Sequence, residues 1–172
     1  MFNLFLLSII IFLLIILSWV WPPDSPWAPW WKTSKGTARA VCRLAGISSK
    51  DTVYELGCGD AGMLIVASRE FGARGVGIEI DPMRHIIAQL MVKLKGVSHK
   101  IKLIKCDFKH ENLRPATIVF VYLVPNAIKR LLPKFKKELK RGTKIISFRY
   151  PIKELKLSRE DKENKLFLYK IP

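Results

Sequence analysis

The sequence predicts an α/β fold: a doubly wound, mostly parallel seven-stranded sheet ending in a C-terminal antiparallel hairpin, preceded by one N-terminal transmembrane helix. Three observations predict it. From residue 34 to about 140, short apolar strand-like runs alternate with helical runs, the pattern of crossover units on a parallel sheet. Two late runs separated by a polar turn add the antiparallel pair. Phe2 to Val20 is an unbroken uncharged stretch rich in Leu, Ile and Phe. At about 1.5 Å per residue it reaches about 29 Å, close to a bilayer core. With 172 residues the chain holds one domain of ordinary size and not two. The expected division is a transmembrane helix over 1–21, a Trp/Pro-rich interfacial linker over 22–33 and a globular body over 34–172.

A cleaved signal peptide is the rival reading of the N-terminus. No Lys or Arg precedes the apolar run and no small-residue cleavage pattern follows it. Trp19, Trp21, Trp27, Trp30 and Trp31 follow instead, as at a membrane interface. Lys32, Lys35, Arg39 and Arg43 lie on the C-terminal side and nothing basic on the other. The positive-inside rule then puts the body in the cytoplasm and the N-terminus outside, a single-pass arrangement. Pro22, Pro23, Pro26 and Pro29 stop the helix and stiffen the linker.

Along the body, Thr33 or Ser34 can cap a helix reaching about Ala45, with Gly46 past its end. Thr52 to Leu56 is a short strand followed at once by a glycine loop. Met63 to Phe71 reads as a helix ending at Gly72, and Gly75 to Ile80 as a second buried strand. Pro82 suits the first turn of a helix to about Lys95. Lys100 to Cys106 alternates apolar residues with lysines, a third strand with one wetter face. Ala116 to Leu123 is the most apolar strand, hence central. Asn126 to Lys140 is helical with an apolar face of Ile128, Leu131, Leu132, Phe135 and Leu139, and Pro133 is a point where a fresh helix can start. Thr143 to Phe148 is the fifth strand. Segments 153–157 and 166–171 form the hairpin, closed by Asp161 to Asn164.

Charge is unevenly spread. The chain carries +16, yet residues 51–81 hold six acids against two bases. A basic body thus surrounds one acidic segment. Cys42, Cys58 and Cys106 have no zinc spacing and cannot all pair, which excludes a disulfide scaffold and suits a reducing compartment. Cys58 and Cys106 read as packing residues. His85, His99 and His110 show no ligand spacing, so no metal is expected.

The acidic segment contains Gly57-Cys58-Gly59-Asp60-Ala61-Gly62, a literal G-x-G-x-x-G between a strand and a helix, with Glu79 ending the next strand. Read as a dinucleotide fingerprint, this gives a nicotinamide-type Rossmann module, with Glu79 on ribose hydroxyls. Glu55 and Asp60 argue against it: an anionic pyrophosphate is disfavoured beside them, whereas a cationic sulfonium and an ammonium are attracted. Cys106-Asp107-Phe108 offers an acid for an adenine amino group and a ring face for the base. The chain is also too short for the separate substrate domain that dehydrogenases usually need.

The stretch Glu55-Leu56-Gly57-Cys58-Gly59-Asp60-Ala61 resembles the [DE]-x-G-x-G-x-G loop of class I S-adenosylmethionine-dependent methyltransferases, with Ala61 in place of the third glycine. Closer similarity is to the membrane-anchored lysine methyltransferases of the ATP synthase c-subunit and adenine nucleotide translocase type, and to archaeal protein-lysine methyltransferases. It rests on the preamble Pro29-Trp30-Trp31-Lys32-Thr33, on Val121-Tyr122-Leu123-Val124-Pro125 after the fourth strand, and on the closing Leu166-Phe167-Leu168-Tyr169. Trp30 and Lys32 depart from the Tyr/Phe and Pro of that pattern.

The resemblance implies S-adenosylmethionine as cofactor. It implies Glu55 and Gly57 at its methionine end, Glu79 at the ribose hydroxyls, Asp107 with Phe108 at the adenine, and Gly59, Asp60 and Ile80 as further cofactor-binding residues; a surface salt bridge for Glu79 and a turn or cap role for Asp107 stay open. It places Tyr122, Pro125 and Asn126 on the methyl-acceptor side and Trp30, Trp31 and Thr33 as a pocket roof. Tyr122 as a core residue, and the tryptophans as lipid-interface residues, stay open beside those roles. The implied activity is methyl transfer to an amine, above all a protein lysine, at the cytoplasmic membrane face, with a membrane protein as partner. RNA, lipid or a small amine is the alternative acceptor. A non-enzymatic nucleotide-binding membrane module is the rival of another class. Lys129, Arg130, Lys134, Lys136, Lys137, Lys140 and Arg141 form a basic run that can face solvent, anionic lipid headgroups or nucleic acid.

Overall fold

In the computed structural model the residues described are 2–20 and 31–172. The expected linker prolines and Trp21, Trp27 and Trp30 lie outside the described residues. Helix α1 takes in Phe2–Val20, α2 Lys35–Ala45, β1 Thr52–Leu56, α3 Gly62–Glu70, β2 Arg74–Glu79 and α4 Pro82–Leu94. Then come β3 Ile101–Lys105, β4 Ile118–Val121, α5 Pro125–Glu138, β5 Lys144–Phe148, β6 Leu157–Asp161 and β7 Leu166–Lys170.

The seven strands form one sheet in the order β3-β2-β1-β4-β5-β7-β6. All pairs are parallel except β5–β7 and β6–β7, so the expected parallel sheet and antiparallel hairpin are both present. Period-two alternation divides the core. Val53, Ile118, Phe120 and Ile146 pack towards α2, α3 and α4. Tyr54, Leu56, Val119, Val121 and Ile145 pack towards α5. The order reverses between β1 and β4, so the crevice of this sheet opens beyond the C-terminal ends of these two strands, where ligands bind in such folds.

Local chemistry sets the helix ends. Ser34 caps α2, its Oγ accepting from the Thr37 N–H at 3.0 Å, and Gly46 ends it in the left-handed region at φ 62°. Asp81 caps α4 the same way through the Arg84 N–H at 2.8 Å, with Pro82 in the first turn.

Three expectations are corrected. The N-terminal transmembrane helix is not upheld: among the described residues no helix is long and apolar enough to cross a membrane. The large apolar side chains of α1, from Leu4 to Ile16, are exposed. Second, α5 runs through Pro133 without a restart. Buried Leu131, Leu132 and Phe135 hold it on the sheet, and the bond lost at Pro133 falls on an exposed face. Third, the first hairpin strand is Leu157–Asp161 and not 153–157. Its residues, Leu-Ser-Arg-Glu-Asp, are a charged, exposed edge strand, which carries no apolar alternation to read.

Gly77 shows how tightly β2 packs under the loop. A Cβ there would lie 2.8 Å from Cys58 Sγ, 2.8 Å from Leu103 Cδ2 and 3.0 Å from Leu64 Cδ1. Gly77→Ala is expected to destabilise the fold by about 1–3 kcal/mol through overpacking, read as a lower midpoint in chemical denaturation with an unchanged slope.

Candidate functional site

The glycine loop leaves β1 at the point where the strand order reverses. Its first two amides, of Gly57 and Cys58, both donate to the Ile78 carbonyl, at 2.9 and 3.0 Å. The Gly59 N–H donates to Glu79 Oε2 at 2.9 Å, and the Asp81 N–H to Glu79 Oε1 at 3.0 Å. Glu79 is buried and its carboxylate therefore ties the end of β2 to the loop. Gly57 and Gly59 have φ of 79° and 54°, backbone that glycine adopts without strain. Ala61, at the position of the third family glycine, takes the same left-handed region at φ 58°. The substitution thus keeps the loop's shape at a local backbone cost.

Three carboxylates converge here: Glu55, Asp60 and Glu79. Glu55 is buried, and its Oε2 has no hydrogen-bond partner. Burial first, then the charges of Asp60 and Glu79, push its carboxyl well above the usual 4.5, against one backbone bond from Leu64. Asp60 accepts from the Gly62 N–H at 3.1 Å and pairs with Lys32 Nζ at 2.8 Å. Lys32 therefore draws the preamble down over the loop. Burial and the same carboxylates push the Cys58 thiol up, so it stays protonated and packs.

Tyr122, expected on the acceptor side, lies at the tips of β4 and β5. Tyr122 follows β4, and its ring sits 4.5 Å from that of Phe148, tilted by 55°. Arg149 places its guanidinium 5.5 Å from the Trp31 ring, 5.7 Å from Tyr122 and 5.6 Å from Phe148. Burial raises the Tyr122 hydroxyl above its ordinary pKa, and the charge of Arg149 opposes that rise. Thr33 is half-buried beside the loop, its carbonyl 3.8 Å from where a Gly62 Cβ would stand.

Of the expected site residues, Glu55, Gly57, Gly59, Asp60 and Glu79 come together, and Trp31 joins Tyr122. Pro125 and Asn126 are exposed in the first turn of α5. Ile80 is 51% exposed just past β2. Asp107 lies on the same edge, since the Cys106 N–H donates to the Glu79 carbonyl at 3.2 Å. Its Oδ1 accepts from the Lys109 N–H at 2.9 Å, the turn role that competes with adenine binding. Phe108 is buried in the core on the α5 side. Trp30 lies outside the described residues. Sequence reasoning missed Phe148, Arg149 and the Lys32–Asp60 pair. Only Phe148 had a signal, as the last apolar residue of a strand ending at the crevice.

S-adenosylmethionine, the cofactor implied above, brings a sulfonium, an ammonium and ribose hydroxyls. The unpartnered, buried Glu55 Oε2 and the acidic trio match its positive end, and the positive-φ glycines let the backbone approach it closely. The residues present fit the group.

The chain is similar to known methyltransferases. The family described as the ANTKMT methyltransferase domain matches residues 55–159. A protein-lysine N-methyltransferase of Saccharolobus islandicus (strain REY15A) is 33% identical over 129 residues, 74% of this chain and 80% of that protein. An adenine nucleotide translocase lysine N-methyltransferase of Mus musculus is 30% identical over 101 residues, 58% of this chain and 44% of that protein. Among solved structures, an RNA methyltransferase from Salinibacter ruber in complex with S-adenosyl-L-homocysteine superposes with a TM-score of 0.80 at 32% identity. The superposition covers 83% of this chain and 94% of that one.

The state of Glu55 gives a test. A folded-state pKa above the unfolded value means the folded chain takes up a proton. That contribution to stability is full below about 4.5 and is lost as pH rises through the raised folded value. Glu55→Gln is expected to raise the neutral-pH melting temperature of the ligand-free protein and flatten its fall above pH 4.5. The same variant should weaken S-adenosylmethionine at least about tenfold by calorimetry, from the loss of a charged partner.

Proposed function

Because the chain belongs to the ANTKMT methyltransferase domain family, we propose that it transfers a methyl group to the side-chain amine of a protein lysine at the cytoplasmic face of a membrane. The chain is an S-adenosylmethionine-dependent methyltransferase. The lysine acceptor rests on one observation above others: aromatic faces of Trp31, Tyr122 and Phe148 line the acceptor side and already surround a cation. The names of the archaeal and mouse relatives support the same acceptor.

Bound there, S-adenosylmethionine would supply an electrophilic methyl, leaving as the neutral thioether while the acceptor nitrogen gains the N–C bond and releases a proton to water. Glu55, Asp60 and Glu79 hold the positive cofactor by charge. Glu79 keeps the loop in the shape that receives it. The aromatic trio takes the alkyl chain of the acceptor and aligns its nitrogen, which such a transfer needs more than a strong base. Asn126, in the first turn of α5, offers a side-chain carbonyl to the amine.

The membrane setting rests on exposed apolar surface. Leu4 to Ile16 on α1, and Met83, Ile86, Ile87, Leu90 and Leu94 on α4, stand out to solvent. Exposed Lys93 and Lys95 flank the α4 stripe. Apolar side chains edged with lysines suit the boundary of an anionic bilayer.

RNA is a second reading, favoured by the net charge of +16 and by the name of the Salinibacter neighbour. Incubation with radiolabelled S-adenosylmethionine, membranes and cell RNA separates the two. Label is expected in protein, removed by protease and not by ribonuclease, and recovered as methyllysine after acid hydrolysis. Label confined to RNA or lipid defeats the lysine reading. A chain beginning at Asp24 is expected to keep cofactor affinity, to stop co-sedimenting with anionic vesicles and to lose most methylation of membrane proteins. Methylation at the full rate by that shorter chain would refute attachment through α1.

A further inference from the structure

We propose that Arg149 is a built-in occupant of the acceptor cage, a gate that a lysine side chain must displace; the inference rests on the methyltransferase reading above. Cations are held by the faces of aromatic rings within about 6 Å. Arg149 satisfies that distance to Trp31, Tyr122 and Phe148 at once. These rings come from the preamble, the tip of β4 and the tip of β5. The three segments come together at the crevice, beside the glycine loop that Lys32 and Thr33 overlie. A cage of this composition recognises alkylammonium groups, methylated ones included.

Two features make the occupant exchangeable. The Arg149 side chain is exposed, so it can leave to water without burying anything in exchange. Its backbone is fixed: φ is 67°, left-handed for a residue with a Cβ, and its N–H donates to the Lys165 carbonyl at 2.8 Å. Strained backbone held by its surroundings is characteristic of sites where position matters. The strand end thus aims a long, charged, movable arm into the cage. The charge of a guanidinium opposes a second cation in the same space, so acceptor and Arg149 exclude each other. The competitor is tethered, and its effective concentration is high. The gate therefore selects acceptors that bring further contacts, and weakens isolated lysines.

The test is calorimetry of the full chain with a blocked peptide bearing one trimethyllysine, in the presence of S-adenosylhomocysteine. Arg149→Gly removes the occupant and suits φ 67°, so the variant should melt no lower than the parent. It is expected to bind the peptide about three- to fivefold more tightly, the scale of one cation–π contact. The gain should vanish when Tyr122→Leu or Phe148→Leu is added, and a norleucine peptide should show none. Peptide affinity equal to or below that of the parent overturns the gate. S-adenosylhomocysteine is titrated first in both forms. If it binds normally and the peptide gain is missing, the gate alone falls; if it does not bind the parent, the reading on which the gate rests falls with it.

Discussion

A single buried carboxylate organises the functional end of this sheet. Glu79 ends β2 and accepts one bond from the Gly59 amide and another from the Asp81 amide. The first fixes the loop after β1; the second sets the turn into α4, whose cap is Asp81 itself. Removing this group would leave the buried Gly59 amide without its partner, a cost of the order of 1–3 kcal/mol, and would free the part-buried Asp81 amide as well. The loop's remaining anchors are the Gly57 and Cys58 amides on Ile78, again at the end of β2. Everything that positions a ligand at the β1/β4 switch therefore depends on how β2 ends.

That dependence explains the packing beneath it. Gly77 lets Cys58, Leu103 and Leu64 close over β2 without a gap, which places the Ile78 carbonyl and the Glu79 carboxylate under the loop. The price of the arrangement is electrostatic: Glu55, with its Oε2 unpartnered, is forced next to two further acids. In the ligand-free protein Lys32 answers one of them, Asp60, from a half-exposed position where an ion pair contributes little. The site is thus built with an unfulfilled demand for positive charge. A sulfonium cofactor meets it, and a pyrophosphate would deepen it.

Much of this was legible in the sequence. Alternating apolar runs set the strands, Ser34, Asp81 and Gly46 marked helix ends, and Glu55 two residues before Gly57 identified a cation-seeking loop. The edge strand β6 was misplaced because Leu157–Asp161 has no apolar face, so no period exists to detect. The N-terminal run forms the helix that its sequence suggests, but among the described residues no helix is long and apolar enough to cross a membrane. Arg149 escaped notice for a different reason. Its left-handed backbone and its seat among rings from three separate segments are tertiary properties, and a lone arginine after a strand carries no local mark. Asp107 shows the converse: its spacing fits an adenine ligand, while its geometry also serves a turn at Lys109.

The division of charge has a consequence for how an acceptor arrives. Acids cluster inside the crevice, whereas the residues after 81 hold 23 of the chain's 30 basic residues. A lysine approaching from solution meets this positive exterior first, and feels the acidic interior only within a screening length of about 8–10 Å. Long-range attraction therefore cannot deliver a cationic acceptor. On the proposed reading an anionic lipid surface does so, because it draws the basic exterior towards it and concentrates lysines at the same interface. The aromatic trio then takes over at short range, where ring faces discriminate an alkylammonium from water without adding negative charge. A basic shell, an acidic crevice and an uncharged aromatic rim thus act at successively shorter distances on one acceptor.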